Sequence, residues 1–140
     1  MEDDLFMSNN AFEAYQNNAV KTASGGDLTL MLYNGCIKFI RLAIKYLDEK
    51  NYELKNENIQ KAQAIINELM VTLNPEVEIS KQMMPLYDYI NYRLMEGNIK
   101  NDIEQLEEAL TFVTEFRDTW KQALLKVKKD QSASGVPING

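Results

Sequence analysis

The chain contains no histidine. That one absence removes Ser-His-Asp and Cys-His nucleophile systems, histidine phosphotransfer bundles, haem bundles with an axial histidine, and di-iron bundles built on Glu-x-x-His. Cysteine is nearly absent as well. Cys36 alone can form neither an internal disulfide nor a zinc site nor a C-x-x-C redox pair, and its solitude suits a reducing compartment. There is no G-x-x-x-x-G-K-[ST] loop and no G-x-G-x-x-G, so nucleotide binding has no support. No run of 18 apolar residues occurs and the first residues, MEDDLF, are acidic, which speaks against a transmembrane helix, membrane insertion and a secretory signal. Positive charge is also short: 15 Lys and Arg face 21 Asp and Glu, and the resulting net charge of −6 argues against a nucleic-acid partner, whose affinity rests on phosphate neutralisation. The expectation is a cytoplasmic, non-enzymatic protein without catalytic residues, metal or cofactor.

What the chain does have is helical periodicity. At 140 residues it is long enough for one domain that folds without staples. The segment Leu28–Leu47, LTLMLYNGCIKFIRLAIKYL, reads as a helix apolar on nearly every side. At 100° per residue its polar groups Asn34, Lys38, Arg41 and Lys45 share one narrow stripe. One apolar arc carries Leu32, Cys36, Phe39, Ala43, Tyr46 and Leu47, with Gly35 beside it. A separate arc carries Tyr33, Ile37, Ile40 and Ile44. A helix on the surface of a small bundle needs a single apolar face roughly 100° wide. The second arc therefore marks either a central helix or a stripe kept for a partner.

Before it, residues 1–24 form an N-terminal cap or lid segment in which Phe12 and Tyr15 keep helical spacing and Val20 adds a further apolar group. Ser24 and Asp27 form an S-x-x-D helix start. After it, KNYELKN reads as a polar connection, and Ile59, Ala62, Ile65, Ile66, Leu69 and Leu73 define a second helix ended by Asn74 and Pro75. A third carries Leu86, Tyr87, Ile90, Leu94 and Met95, is expected to begin late, near Met83–Pro85, and stops at Gly97. A fourth opens with Asn101 as N-cap and runs through Leu106, Val113, Trp120 and Val127 to a basic end at Lys129. The fold expected is all-α: an antiparallel up-and-down four-helix bundle over residues 25–129 with a disordered tail at 130–140.

The segment from Tyr15 to Ala43 resembles the flagellar export chaperone family FliS. The family's Val-x-Thr-Ala-Ser-Pro and Leu-x-x-Met-Leu-Tyr-x-Gly runs are matched by Val20, Thr22, Ala23 and Ser24 and by Leu28, Met31, Leu32, Tyr33 and Gly35, with Gly25 replacing the proline. KAQAIINELMVTLN and LYDYINYRLMEGNIKND, with Leu86, Tyr87 and Tyr89, are similar to the family too. Pro85 departs from it, standing where an ordinary helix former is expected.

The resemblance implies a flagellin-specific secretion chaperone. Such a protein binds the disordered C-terminal region of flagellin one to one as a monomer, keeps it from polymerising early and brings it to the flagellar type III export machinery. The partner-binding residues expected here are Phe12, Tyr15, Val20, Leu28, Met31, Leu32, Tyr33, Ile37, Ile40 and Ile44. Leu28, Met31 and Leu32 fit a core better than a contact, whereas Tyr33, Ile37, Ile40 and Ile44 fit either. The competing reading is a scaffold that homo-oligomerises through the same stripe. A small-molecule carrier lacks a polar anchor.

Overall fold

In the computed structural model, which describes residues 25–133 and the side chains of 26–130, the periodic segments fold as four helices. These are α1 (Gly25–Asp48), α2 (Tyr52–Thr72), α3 (Glu78–Lys100) and α4 (Ile103–Ala133). No strand occurs among the described residues. Connections as short as 49–51, 73–77 and 101–102 can only return each helix antiparallel to the one before. α1 packs on α2 and α4, and α3 packs on the same two, so the bundle is a square with α1 and α3 on one diagonal. The expected fold class holds.

The turns explain where the helices end. Lys50 takes the left-handed conformation at φ 60°, its N–H bonds to the Leu47 carbonyl and that of Asn51 to the Tyr46 carbonyl, closing α1 in a Schellman motif. Asn51 then caps α2 by accepting the Leu54 N–H at 3.2 Å. KNYELKN is therefore mostly helix rather than connection, and Lys55 within it, with Glu57 and Asn58 just after it, is buried. Lys55 is drawn in because its ammonium caps the end of α3, donating to the Asn98 carbonyl at 2.9 Å and to Asn101 Oδ1 at 2.6 Å.

Three expectations for the second half are corrected. Gly97 does not stop α3, which continues to Lys100. A β-carbon on Gly97 would lie 2.5 Å from Leu106 Cδ2, so the glycine serves close approach of α4. Asn101 is the left-handed C-cap of α3, at φ 51° and ψ 45°, and the cap of α4 is Asp102, which accepts the Glu104 N–H at 3.1 Å. α4 itself runs past Lys129 to Ala133, into the span expected to be a disordered tail.

Pro85 is the fourth correction. α3 begins at Glu78 and carries the proline inside it, not at its start. The ring removes the N–H that would bond the Lys81 carbonyl. Both residues are exposed, so water can take that carbonyl, and the helix stays continuous. Pro85→Ala is expected to stabilise the fold by about 1–3 kcal/mol, since an interior proline costs about 3 kcal/mol relative to alanine. A higher urea midpoint at unchanged m-value would show it, and an unmoved midpoint would mean that this turn of α3 contributes nothing.

Candidate partner interface

α1 has no face to spare. Leu32, Tyr33, Cys36, Ile37, Ile40 and Ala43 are all buried, because α1 is held between α2 and α4 and must present apolar groups to each. Of the arc that fitted either a central helix or a partner stripe, Tyr33, Ile37 and Ile40 are core in this structure and Ile44 is half-buried. Leu32 lies with them, and Leu28, Met31 and Ile44 are half-buried at its margin. Gly35 lies close to α2, where a β-carbon would come within 3.3 Å of Ile65 Cδ1. Phe12, Tyr15 and Val20 lie outside the described residues.

Cys36 is fully buried with its sulfur 3.8 Å from the Ala62 carbonyl, and burial pushes its thiol well above the ordinary range. This agrees with an inert thiol.

Sequence reasoning missed what holds the diagonal. The hydroxyls of Tyr33 on α1 and Tyr87 on α3 lie 2.6 Å apart at the bundle centre. Phe116 of α4 stands beside both, its ring 6.4 Å from Tyr33 and 6.2 Å, edge to face, from Tyr87. Burial raises the pKa of each tyrosine above its ordinary value, and one hydroxyl donates to the other. The only signal available beforehand was that both tyrosines sit in the apolar period of their helices.

The four outer seams differ in chemistry. The α3–α4 seam is filled by a polar network: Tyr89 donates to Glu108 at 2.6 Å, and Arg93 donates to Tyr89 at 2.7 Å while pairing with Glu108 at 3.2 Å. The α1–α4 seam is clasped by Trp120 on the Gly26 carbonyl, Arg117 on Asn34 and Lys128 on Asp27. On the α1–α2 seam Lys38 and Lys61 lie over the Phe39 ring.

The α2–α3 seam is apolar at its rims instead. Two amide pairs, Asn91 to Asn67 at 2.9 Å and Asn98 to Asn56 at 2.7 Å, bridge it. On the outer side of α3, Met84 is 36% exposed, Met95 41%, Tyr92 50% and Ile99 70%, and across the seam Val71 of α2 is 78% exposed. Scattered exposed apolar residues need no explanation, but these lie in a row along one helix, interrupted by the exposed Asp88. None of these five was among the residues expected to bind.

Residues 7–127 match the family model described as flagellar protein FliS. The chain belongs to the FliS family. It is 53% identical over 126 residues to the flagellar secretion chaperone FliS of Bacillus subtilis, covering 90% of this chain and 95% of that one. Against the protein of the same description from Escherichia coli it is 32% identical over 111 residues, 77% and 82% of the two chains. A crystal structure of a bacterial flagellar chaperone superposes with a TM-score of 0.69 at 21% identity, over 84% of this chain and 97% of that one, and so shares its fold. The FliS match spans both members of the tyrosine pair and the whole exposed row of α3. Among the described residues no group of three or more His, Cys, Asp or Glu could hold a metal ion, and no helix is long and apolar enough to cross a membrane.

Proposed function

We propose that this chain is a cytoplasmic export chaperone for flagellin. It binds flagellin's disordered C-terminal segment one to one, prevents premature polymerisation and delivers it to the flagellar type III export apparatus. Membership of FliS, whose relatives bear the name flagellar secretion chaperone, supports the export role. The observation that carries the binding mode is the exposed apolar row on α3 beside Val71. A disordered client gains little from a flat polar face, whereas such a row lets it fold as an amphipathic helix laid into a groove. Methionine at two of the positions suits a surface that must adapt to a client's side chains.

The mechanism is binding and handover without catalysis. Release follows from competition or from unfolding of the client by the export machinery, since no nucleotide motif is present in the sequence. Phe12, Tyr15 and Val20 stand as lid residues that compete with the client. A groove open in only a fraction of molecules lowers apparent affinity by that fraction. Leu28, Met31 and Ile44, on α1 across the diagonal from α3, border the core and stand as a separate place of contact; Leu32, Tyr33, Ile37 and Ile40 hold the core itself.

Titration calorimetry with a peptide spanning the C-terminal helical region of flagellin from the same organism, beside a scrambled control, tests the proposal. Saturable 1:1 binding with a strongly negative heat-capacity change is expected. No binding, together with a concentration-dependent mass, would favour the homo-oligomeric scaffold instead.

A further inference from the structure

α3 carries two apolar seams. The first, Met83, Tyr87, Ile90, Leu94 and Gly97, repeats at intervals of four, three, four and three and is filled by the rest of the bundle. The second, Met84, Asp88, Tyr92, Met95 and Ile99, repeats at four, four, three and four and lies exposed, about 140° around the helix at 100° per residue. The first has the four-three spacing of a coiled-coil seam, and the second, with its four-four-three run, has the eleven-residue spacing of a right-handed one. The second is broken only by Asp88, an exposed carboxylate without an ion pair or hydrogen bond among the described residues, one helical turn from Met84 and from Tyr92.

A single polar residue in an otherwise apolar seam weakens pairing with every partner except one that answers it, and so fixes register and choice of partner. Asp88 can be answered only by a donor, best by a cation. A second copy of this chain offers only Lys81, on the same exposed face, and the antiparallel register that sets Lys81 against Asp88 leaves Met95 and Ile99 beyond the end of the partner's α3. Pairing the seam with itself about its midpoint sets Asp88 against Met95 with Glu96 beside it, between two molecules of net charge −6. The occupant that fits is a helix from another protein, apolar at matching intervals and carrying a lysine or arginine at the level of Asp88.

We propose that Asp88 is a specificity residue: it sets the register of the client helix on the α2–α3 seam by pairing with a basic side chain of that helix. This rests on the client reading above and deepens it. The seam's hydrophobic contacts supply affinity and Asp88 supplies alignment, as charges at an interface rim commonly do.

The test is calorimetry of the full chain with the flagellin C-terminal peptide at low and high salt. Asp88→Lys is expected to weaken binding about tenfold at low salt, turning an attraction into a repulsion, and less at high salt as charges are screened. Met95→Asp is expected to weaken it more strongly, and at both salt concentrations. Exchanging each basic residue of the peptide for glutamate in turn is expected to reveal one exchange that harms the wild type and restores Asp88→Lys. Circular dichroism melts of both variants should match the wild type, since the altered side chains are exposed. Loss of binding in Met95→Asp with none in Asp88→Lys, or the lack of any restoring exchange, overturns the role of Asp88 and leaves the client reading standing. A wild-type chain that ignores the peptide overturns the client reading itself, and a dimer dissolved by Met95→Asp in sedimentation would give the seam to a second copy.

Discussion

Ile40→Asp is expected to unfold the bundle rather than to spare the fold and silence binding. Ile40 is fully buried on α1 among Leu32, Cys36, Ile37 and Ala43. A carboxylate placed there has no partner and must either ionise in an apolar interior or take up a proton, and both routes cost several kcal/mol. Domains of this size have only about 5–15 kcal/mol in total. Far-UV circular dichroism should show helix lost or a melting temperature lowered by tens of degrees, while Met95→Asp melts like the wild type. If Ile40→Asp instead melts within a few degrees of the wild type, the α1 arc is accessible and belongs to an interface after all. The distinction matters for any binding assay, because an unfolded variant that fails to bind says nothing about a groove.

Gly97→Ala is the second large effect expected. Alanine is the better helix former by about 1 kcal/mol, so at an unconstrained site the change would stabilise. Here the new β-carbon would lie 2.5 Å from Leu106 Cδ2, 2.9 Å from its Cγ and 3.2 Å from the Asp102 carbonyl oxygen. Leu106 is fully buried and the carbonyl is backbone in a tight turn, so neither can step aside. Overpacking of this kind costs typically 1–3 kcal/mol, and a bulkier residue more. Gly26→Ala is the matched control. Its β-carbon also meets a leucine at 2.5 Å, but Leu124 is half-exposed near the end of α4 and can turn away. Urea denaturation should therefore show Gly97→Ala clearly destabilised and Gly26→Ala little changed. Equal losses would mean that α4 is as firmly held at its end as at its start.

Helix number, order and core face were legible because burial of one stripe leaves a 3.6-residue period that no other structure mimics. The errors concern what burial alone cannot tell. A helix with two flanking neighbours and a helix with one neighbour and one future partner have the same sequence signature, so the α1 arc of Tyr33, Ile37 and Ile40 could be read either way. The exposed row on α3 was hidden for the opposite reason: Asp88 interrupts it, and Met84, Tyr92 and Met95 look like loose additions to the core stripe until Tyr87, Ile90 and Leu94 are known to fill that stripe. Pro85 and Gly97 were read as boundaries from their propensities, but tertiary packing decided both, one tolerated on the wet side of α3 and the other used to admit Leu106. Lys55 gave no warning, since nothing local says that a lysine stem will lie inside and cap a helix end 43 to 46 residues away. The resemblance to FliS rested on motifs spread from Tyr15 to Asp102, with Tyr33 and Tyr87 among their residues, and was therefore legible even where the interface was not.

The short turns at 49–51, 73–77 and 101–102 also bear on how soon the protein is ready to act. Three of the four helix pairings join neighbours in sequence, and only α1 with α4 closes a long loop. Chains dominated by such local pairings pass their folding barrier in microseconds to milliseconds. Synthesis, at roughly 5–20 residues per second, is far slower. The α1–α2 and α2–α3 hairpins can therefore assemble while the chain is still emerging, and the bundle can close almost as soon as α4 arrives.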